Sequence, residues 1–331
     1  MRKTIALAAA LTVAAGALTG CGQNPAEKKP VIVTTVYAVY DMAKQLTADF
    51  ETAPEVRLLL TPGGESHSYE PTPSDTAAIQ SCDLFLYVGG ASETWAEKLI
   101  NTSRETKPSV RLFDAVTPLA EETVEGMEAH HHDHDDEDEH DHDHEEHEEH
   151  DHDHDFDEHI WTSPLNADAM LKASYDAIAK QYPAEKTHAD AAYEKLHAAF
   201  TELDAQAKKI KENEKTNTLI FADRFPFRYL TNAYHWDYYA AFAGCSSDND
   251  ASAATLSFLI SKVKELNIGT VFYLENSTQK VSDAVCRATG AKAVMLQSGN
   301  NVSADDFKAN VHYQDIMKAN LDAIGAALGA S

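Results

Sequence analysis

Positions 130–154 hold eleven histidines, and every other residue among them is Asp or Glu. The histidines are His130, His131, His132, His134, His140, His142, His144, His147, His150, His152 and His154. Imidazole nitrogens suit zinc, copper and nickel, and the repeated His-x-His spacing, as at His140, His142 and His144, lets many ligand sets form without one fixed geometry. No apolar side chain interrupts the tract before Phe156, so it has nothing to bury and must be solvated. An acidic run alone reads as a solvated linker, and a histidine-rich one also serves as a pH-dependent tether. Imidazoles at this density favour metal capture. A second set of donors is scattered singly: His67 in the loop 62–71, His159 in Asp157-Glu158-His159-Ile160-Trp161-Thr162-Ser163-Pro164, Asp223 beside Arg224, and Glu275.

What these single residues do depends on the elements that carry them. The chain alternates short β-rich runs (31–35, 56–60, 84–88, 110–113) with stretches of helical periodicity, which predicts parallel sheets with crossover helices. Ser163-Pro164 predicts an N-cap with proline at the first helical position, opening a helix to about residue 181. Pro183 interrupts it, and 184–213 then reads as one helix with Tyr193, Leu196, Phe200, Leu203 and Ile210 on a stripe. A second alternating half follows, with strands at 218–222, 236–242, 270–274 and 292–296. The expected fold is therefore α/β, with two parallel-sheet lobes joined by one long backbone helix. Ligands of open α/β sheets bind off the carboxyl ends of the strands. His67 follows the strand 56–60, Asp223 and Arg224 follow 218–222, Glu275 ends 270–274, and His159 precedes a helix, so a cleft between the lobes can collect them. Asp223 can instead pair with Arg224 or cap the helix after it, and Glu275 can be a buried partner of Arg224. His188, His197, His235 and His312 are expected on ordinary surfaces.

The formal net charge of −27 is concentrated in the tract. Seventeen of the 54 Asp and Glu residues lie between Asp133 and Glu158, leaving 37 acids against 27 bases, or about −10, for the rest. Such a body offers nothing to nucleic acid. Enzyme motifs are missing too: His144-Glu145-Glu146-His147 has the wrong spacing for a helical zinc-hydrolase pair, and neither Gly-x-Ser-x-Gly nor a phosphate loop occurs. The expected class is a binding protein, not an enzyme. At the start, Arg2 and Lys3 precede an apolar run too short to span a membrane, and Leu18-Thr19-Gly20-Cys21 follows. This predicts a signal peptide over 1–20, a lipid anchor on Cys21 with a tether over 21–30, a first lobe over 31–183 that includes the acidic loop 129–158, a linking helix over 184–214 and a second lobe over 215–331. Of the other cysteines, Cys82 reads as a buried thiol, with a Cys245–Cys286 bridge as a further expectation.

The Leu-Thr-Gly-Cys box, Thr34-Thr35-Val36-Tyr37 with Asp41-Met42-Ala43, His67-Ser68-Tyr69-Glu70-Pro71, the histidine-rich acidic loop and His159-Ile160-Trp161-Thr162-Ser163-Pro164 together resemble the zinc- and manganese-specific substrate-binding lipoproteins of bacterial ABC importers. The resemblance covers nearly the whole mature chain. It implies a rigid helix between the lobes and one metal ion in the interlobe cleft, delivered to an ABC permease and its ATPase. By the same resemblance, His67 and His159 stand at the first and second ligand positions. The third, a His five residues before a Tyr, falls on Arg224 when counted back from Tyr229. Arginine keeps its proton and is no ligand. Asp223 and Glu275 are then the candidates for the remaining donors, with Arg224 orienting a carboxylate. The fourth position, an Asp after the last strand, falls near Gln297, a weak neutral donor. Two imidazoles with carboxylates suit zinc or manganese, and the eleven loop imidazoles tip the expectation to Zn2+, with Mn2+ the alternative. The protein expected is an extracytoplasmic, lipid-anchored monomer; the competing expectation is a zinc store or metal-dependent adhesin.

Overall fold

Two four-stranded parallel sheets repeat one topology. Strands β1 (Val31–Thr34), β2 (Glu55–Leu58), β3 (Leu84–Tyr87) and β4 (Ser109–Arg111) lie in the order β2-β1-β3-β4, and β5 (Thr218–Phe225), β6 (Asp237–Ala243), β7 (Thr270–Leu274) and β8 (Lys292–Leu296) in the order β6-β5-β7-β8. The computed structural model describes residues 29–64, 67–102, 107–128, 156–246 and 250–330. Cys21 and the eleven tract histidines lie outside them. Strand β3 is buried along its whole length. It reads Leu-Phe-Leu-Tyr because crossover helices cover both faces of a parallel sheet.

In the first lobe these are α1 (Tyr37–Leu46), α2 (Pro73–Ser81), α3 (Thr94–Thr102) and α4 (Pro164–Gln181). Helix α4 begins at Pro164 as predicted, but Ser163 makes no side-chain cap bond; its extended backbone and the fixed φ of proline set the start. Helix α5 (Lys186–Asn213) has 28 residues, or about 42 Å at ~1.5 Å each. Its buried stripe of Leu196, Phe200, Leu203, Ala207 and Ile210 recurs at three- and four-residue steps. Beyond it come α6 (Arg228–Tyr234), α7 (Ala253–Glu265), α8 (Lys280–Thr289), α9 (Ala304–Ala309) and α10 (Tyr313–Leu328). The short α9 was not anticipated; it is nucleated by Ser303, whose hydroxyl accepts the Asp306 N–H at 3.1 Å.

The long helix packs on α1 and α4 to one side and on α6 and α10 to the other. One continuous apolar core therefore runs from Ile32 and Leu84 through Phe200 to Phe221 and Leu321. Parting the lobes would expose this core, at about 1.5–3 kcal/mol for each large side chain uncovered. The segment after β8 adds a polar seam. Its carbonyls at Asn300 and Gly299 accept the first N–H groups of α1, from Tyr37 at 2.7 Å and Ala38 at 3.1 Å. Those donors need a partner because no side chain caps α1.

Two expectations are corrected. Strand β5 runs on to Phe225 through a register shift between Phe221 and Arg224, so Asp223 and Arg224 lie in the strand and not in the loop after it. No disulfide joins Cys245 to Cys286: Cys286 is on α8, and Cys245 lies just beyond β6. Cys82 is the buried thiol expected; it donates to the Ile79 carbonyl, and burial pushes its pKa up to about 11.

Candidate metal centre

The segment carrying His159 is clamped from both lobes. The Asp157 N–H donates to the Leu119 carbonyl at 2.9 Å, and the Asp157 carbonyl accepts from the Tyr229 hydroxyl of α6 at 2.7 Å. Asp157 then turns its side chain on its neighbour: Oδ1 accepts the His159 backbone N–H at 2.8 Å and lies 3.1 Å from His159 Nδ1. With Nδ1–H donating to the carboxylate, the His159 Nε2 lone pair is left for a ligand. Burial disfavours the imidazolium of this 1 % exposed ring, yet Asp157, helped by Glu158 and Glu121, outweighs it and raises the pKa above the ordinary value.

His67 reaches the same point from the loop between β2 and α2. Asn301 fixes that loop by donating from Nδ2 to the carbonyls of Thr61 at 2.8 Å and Gly64 at 2.9 Å. His67 Nε2 lies 3.1 Å from His159 Nε2 and 3.5 Å from Glu158 Oε1. The other Glu158 oxygen accepts the Ser92 N–H at 2.9 Å. Cys245, two residues past β6, completes a group in which the ligand atoms of His67, Glu158, His159 and Cys245 all lie within 4.8 Å of one another. Donors about 2.0–2.1 Å from a tetrahedral ion stand roughly 3.3 Å apart. The two measured separations bracket that value, so one ion fits between these side chains. Gly244 permits the approach: a Cβ there would stand 2.9 Å from the Phe225 carbonyl and 3.0 Å from His159 Cε1.

A cavity of about 40 Å3 adjoins the two imidazoles, lined also by Arg224, Glu275 and Asn301. That is room for an ion and a water or two. Glu275 thus shares the pocket, but it is engaged: Oε2 accepts the Ser298 N–H at 2.8 Å and Oε1 the Ser298 hydroxyl. Burial raises its pKa, with Ser298 and the Arg224 charge opposing. Asp223 belongs neither to the four-residue group nor to the cavity wall. Its oxygens accept the N–H groups of Arg224 at 2.8 Å and Leu274 at 3.1 Å, pinning β5 to β7. Gln297 is held through its backbone by Asn320. Glu158, at the end of an acidic tract, and Cys245, just beyond a predicted strand end, are the members of this group that the sequence did not single out as donors. His188, His197 and His312 pair with Glu185, Asp168 and Asp41, away from the centre.

Residues 32–327 match the family model ZnuA, described as zinc-uptake complex component A, periplasmic. The chain is 32% identical over 314 residues to the zinc-binding lipoprotein AdcA of Streptococcus pneumoniae, a match that covers 91% of this chain and 56% of that protein. It thus spans little more than half the length of the AdcA relatives. With the high-affinity zinc uptake system protein ZnuA of Bacillus subtilis it shares 32% identity over 301 residues, 90% of this chain and 87% of the relative. The crystal structure of the Zn(II)-bound ZnuA-like domain of Streptococcus pneumoniae AdcA superposes with a TM-score of 0.71 at 26% identity, over 91% of this chain and 99% of that one. Twin parallel sheets, a spanning helix and two imidazoles meeting between the lobes agree with the sequence match: the chain belongs to the ZnuA family of zinc-uptake components.

Proposed function

We propose that this protein is the extracytoplasmic zinc-binding component of an ABC importer, holding one Zn2+ between its lobes and presenting it to a membrane permease driven by an ATPase. The observation that carries this is the convergence of His67 Nε2 and His159 Nε2, 3.1 Å apart and brought together from separate loops. Both loops are braced by the second lobe, through Asn301 and Tyr229. Glu275 and Arg224, at the cavity wall, hold the charge balance around the ion. Cys21 carries the lipid that keeps the protein, a monomer, at the membrane surface. The histidine tract collects ions and raises their concentration beside the cleft.

Release follows the same geometry. The shared core and the backbone seam resist parting of the lobes, so the mobile step is a displacement of the His67 loop, which takes one imidazole from the ion. The test is calorimetric titration of Zn2+ and Mn2+ into a variant whose eleven tract histidines are replaced by Asn, beside the same variant carrying His67→Ala and His159→Ala. One tight zinc equivalent that disappears with the two cleft histidines supports the importer function. Preference for Mn2+ changes the cargo, and no tight site without the tract sinks the proposal in favour of a passive store.

A further inference from the structure

We propose that Cys245 is a ligand of the cleft ion, bound as a thiolate, and that it makes the site of this chain selective for zinc over manganese. The inference rests on the proposed zinc function and goes on to name the residue that sets its selectivity. The Cys245 ligand atom lies within 4.8 Å of those of His67, His159 and Glu158. Residue 244 is the glycine whose missing side chain lets the strand end lie against the His159 ring. The four donors come from three separate stretches of backbone: His67 from the β2–α2 loop, Glu158 and His159 from two successive residues of the clamped segment, and Cys245 from just beyond β6. Of the two carboxylates near the imidazoles, Glu158 in the four-donor group keeps one oxygen turned to His67, whereas both oxygens of Glu275 on the cavity wall accept from Ser298.

Charge points the same way. Arg224 lines the cavity and is always protonated, and Glu275 lies in its field. A dication bound there faces the Glu158 carboxylate directly and the Asp157 carboxylate through the His159 ring. A Cys245 thiolate adds an anion at the ion itself, in a buried setting where uncompensated charge is costly. On binding, the S–H bond breaks, the sulfur keeps the electron pair and donates it to zinc, and the proton leaves to solvent. Manganese prefers oxygen donors and gains little from sulfur.

The test is cobalt(II) spectroscopy on the full-length protein with its eleven tract histidines replaced by Asn, so that the tract does not compete for the ion. One equivalent of Co(II) is expected to give a thiolate-to-cobalt charge-transfer band that Cys245→Ser abolishes. The same variant should lose at least about 100-fold in zinc affinity, beyond the roughly 10–100-fold that loss of a mere supporting partner costs. As a check independent of any cysteine variant, bound zinc should protect Cys245 from alkylation by iodoacetamide, and His67→Ala should remove that protection. A charge-transfer band that survives Cys245→Ser, or no band while His67→Ala still abolishes tight metal binding, overturns the thiolate and leaves the zinc function standing. Tight binding unaffected by His67→Ala and His159→Ala overturns both.

Discussion

Asp157 Oδ1 holds His159 twice, at the backbone N–H from 2.8 Å and at Nδ1 from 3.1 Å. The pairing orients the ring for a metal but also favours a proton on Nε2, where the metal must bind. Because the His159 pKa is raised, protons begin to compete above the ordinary imidazole value of 6.5. Zinc affinity is therefore expected to fall as pH drops, with the fall starting above 6.5. Asp157→Asn keeps an acceptor for Nδ1–H and removes the charge, so the fall should move to lower pH while affinity at pH 8 drops about 10–100-fold. Zinc titrations between pH 5 and 8 in the variant with a silenced tract check this. An unchanged pH profile in Asp157→Asn would show that the carboxylate does not govern the site.

Behind the centre, Glu93 is enclosed beside Ser92, with Oε2 accepting the Gly89 N–H at 2.8 Å. Burial pushes its carboxyl up to about 7, with the Gly89 N–H opposing and the Glu158 charge adding. The folded chain then keeps a proton that the unfolded chain has released above its ordinary value of 4.5. Between those values the native state binds more protons than the unfolded one, so stability falls as pH rises from 4.5 to 7 and is level above. The full effect is on the order of 3 kcal/mol. Glu93→Gln should gain that amount over the parent at pH 8 and little near pH 5, measured by urea unfolding with a chelator present. Equal gains at both pH values would mean that Glu93 titrates normally.

Gly244 is a steric prediction. An added methyl must displace either the Phe225 carbonyl, 2.9 Å away, or the His159 ring, 3.0 Å away. Gly244→Ala is expected to destabilise the fold by about 1–3 kcal/mol through overpacking and to weaken zinc binding as the ring moves. Thermal melts of the apo and zinc-loaded protein separate the two effects: the melting-temperature gain on adding zinc should shrink. A full zinc-induced gain in Gly244→Ala would show that the ring had not moved.

The parts of the fold that were legible in the sequence are those written in periodicity. The stripe of Leu196, Phe200, Leu203 and Ile210 has one physical solution, a long helix buried along one side, and the short apolar runs at 31–35 and 84–88 have another, a parallel sheet covered on both faces. His67 and His159, whose Nε2 atoms the fold brings 3.1 Å apart, stand out in the sequence because distinctive neighbours flank them. Cys245 is marked only by its place beyond a predicted strand end; its nearness to the imidazoles follows from Gly244 lying against a ring about 85 residues away in sequence, a tertiary fact. Asp223 shows what a local reading leaves out. It looks like a free carboxylate in sequence, but a register shift turns it into the acceptor that ties β5 to β7. Tyr229 was used only as a counting mark, whereas its hydroxyl bridges Leu119 and Asp157 and so sets the His159 segment.

Asn301 gives the sharpest separation of binding from folding. Its side-chain N–H groups reach from the second lobe to the carbonyls of Thr61 and Gly64, either side of the turn that leads to His67. Its Oδ1 accepts the Val302 N–H at 2.9 Å, and the Gly63 N–H returns a bond to the Val302 carbonyl at 2.8 Å, so the turn and the second lobe are laced together. Asn301→Ala leaves two carbonyls, on exposed Thr61 and half-buried Gly64, that can take water, so the loss of stability should stay at ~1–2 kcal/mol. The His67 loop would then be ordered by the ion itself, and that ordering would be charged to binding. Zinc affinity should fall by about tenfold or more, with a faster dissociation rate and little change in association, because the two imidazoles no longer wait at the ion's spacing. Stopped-flow release of zinc to a chelator reads the rate directly. If Asn301→Ala released zinc no faster than the parent, the His67 loop would be held by something other than this bridge, and its displacement would no longer explain release.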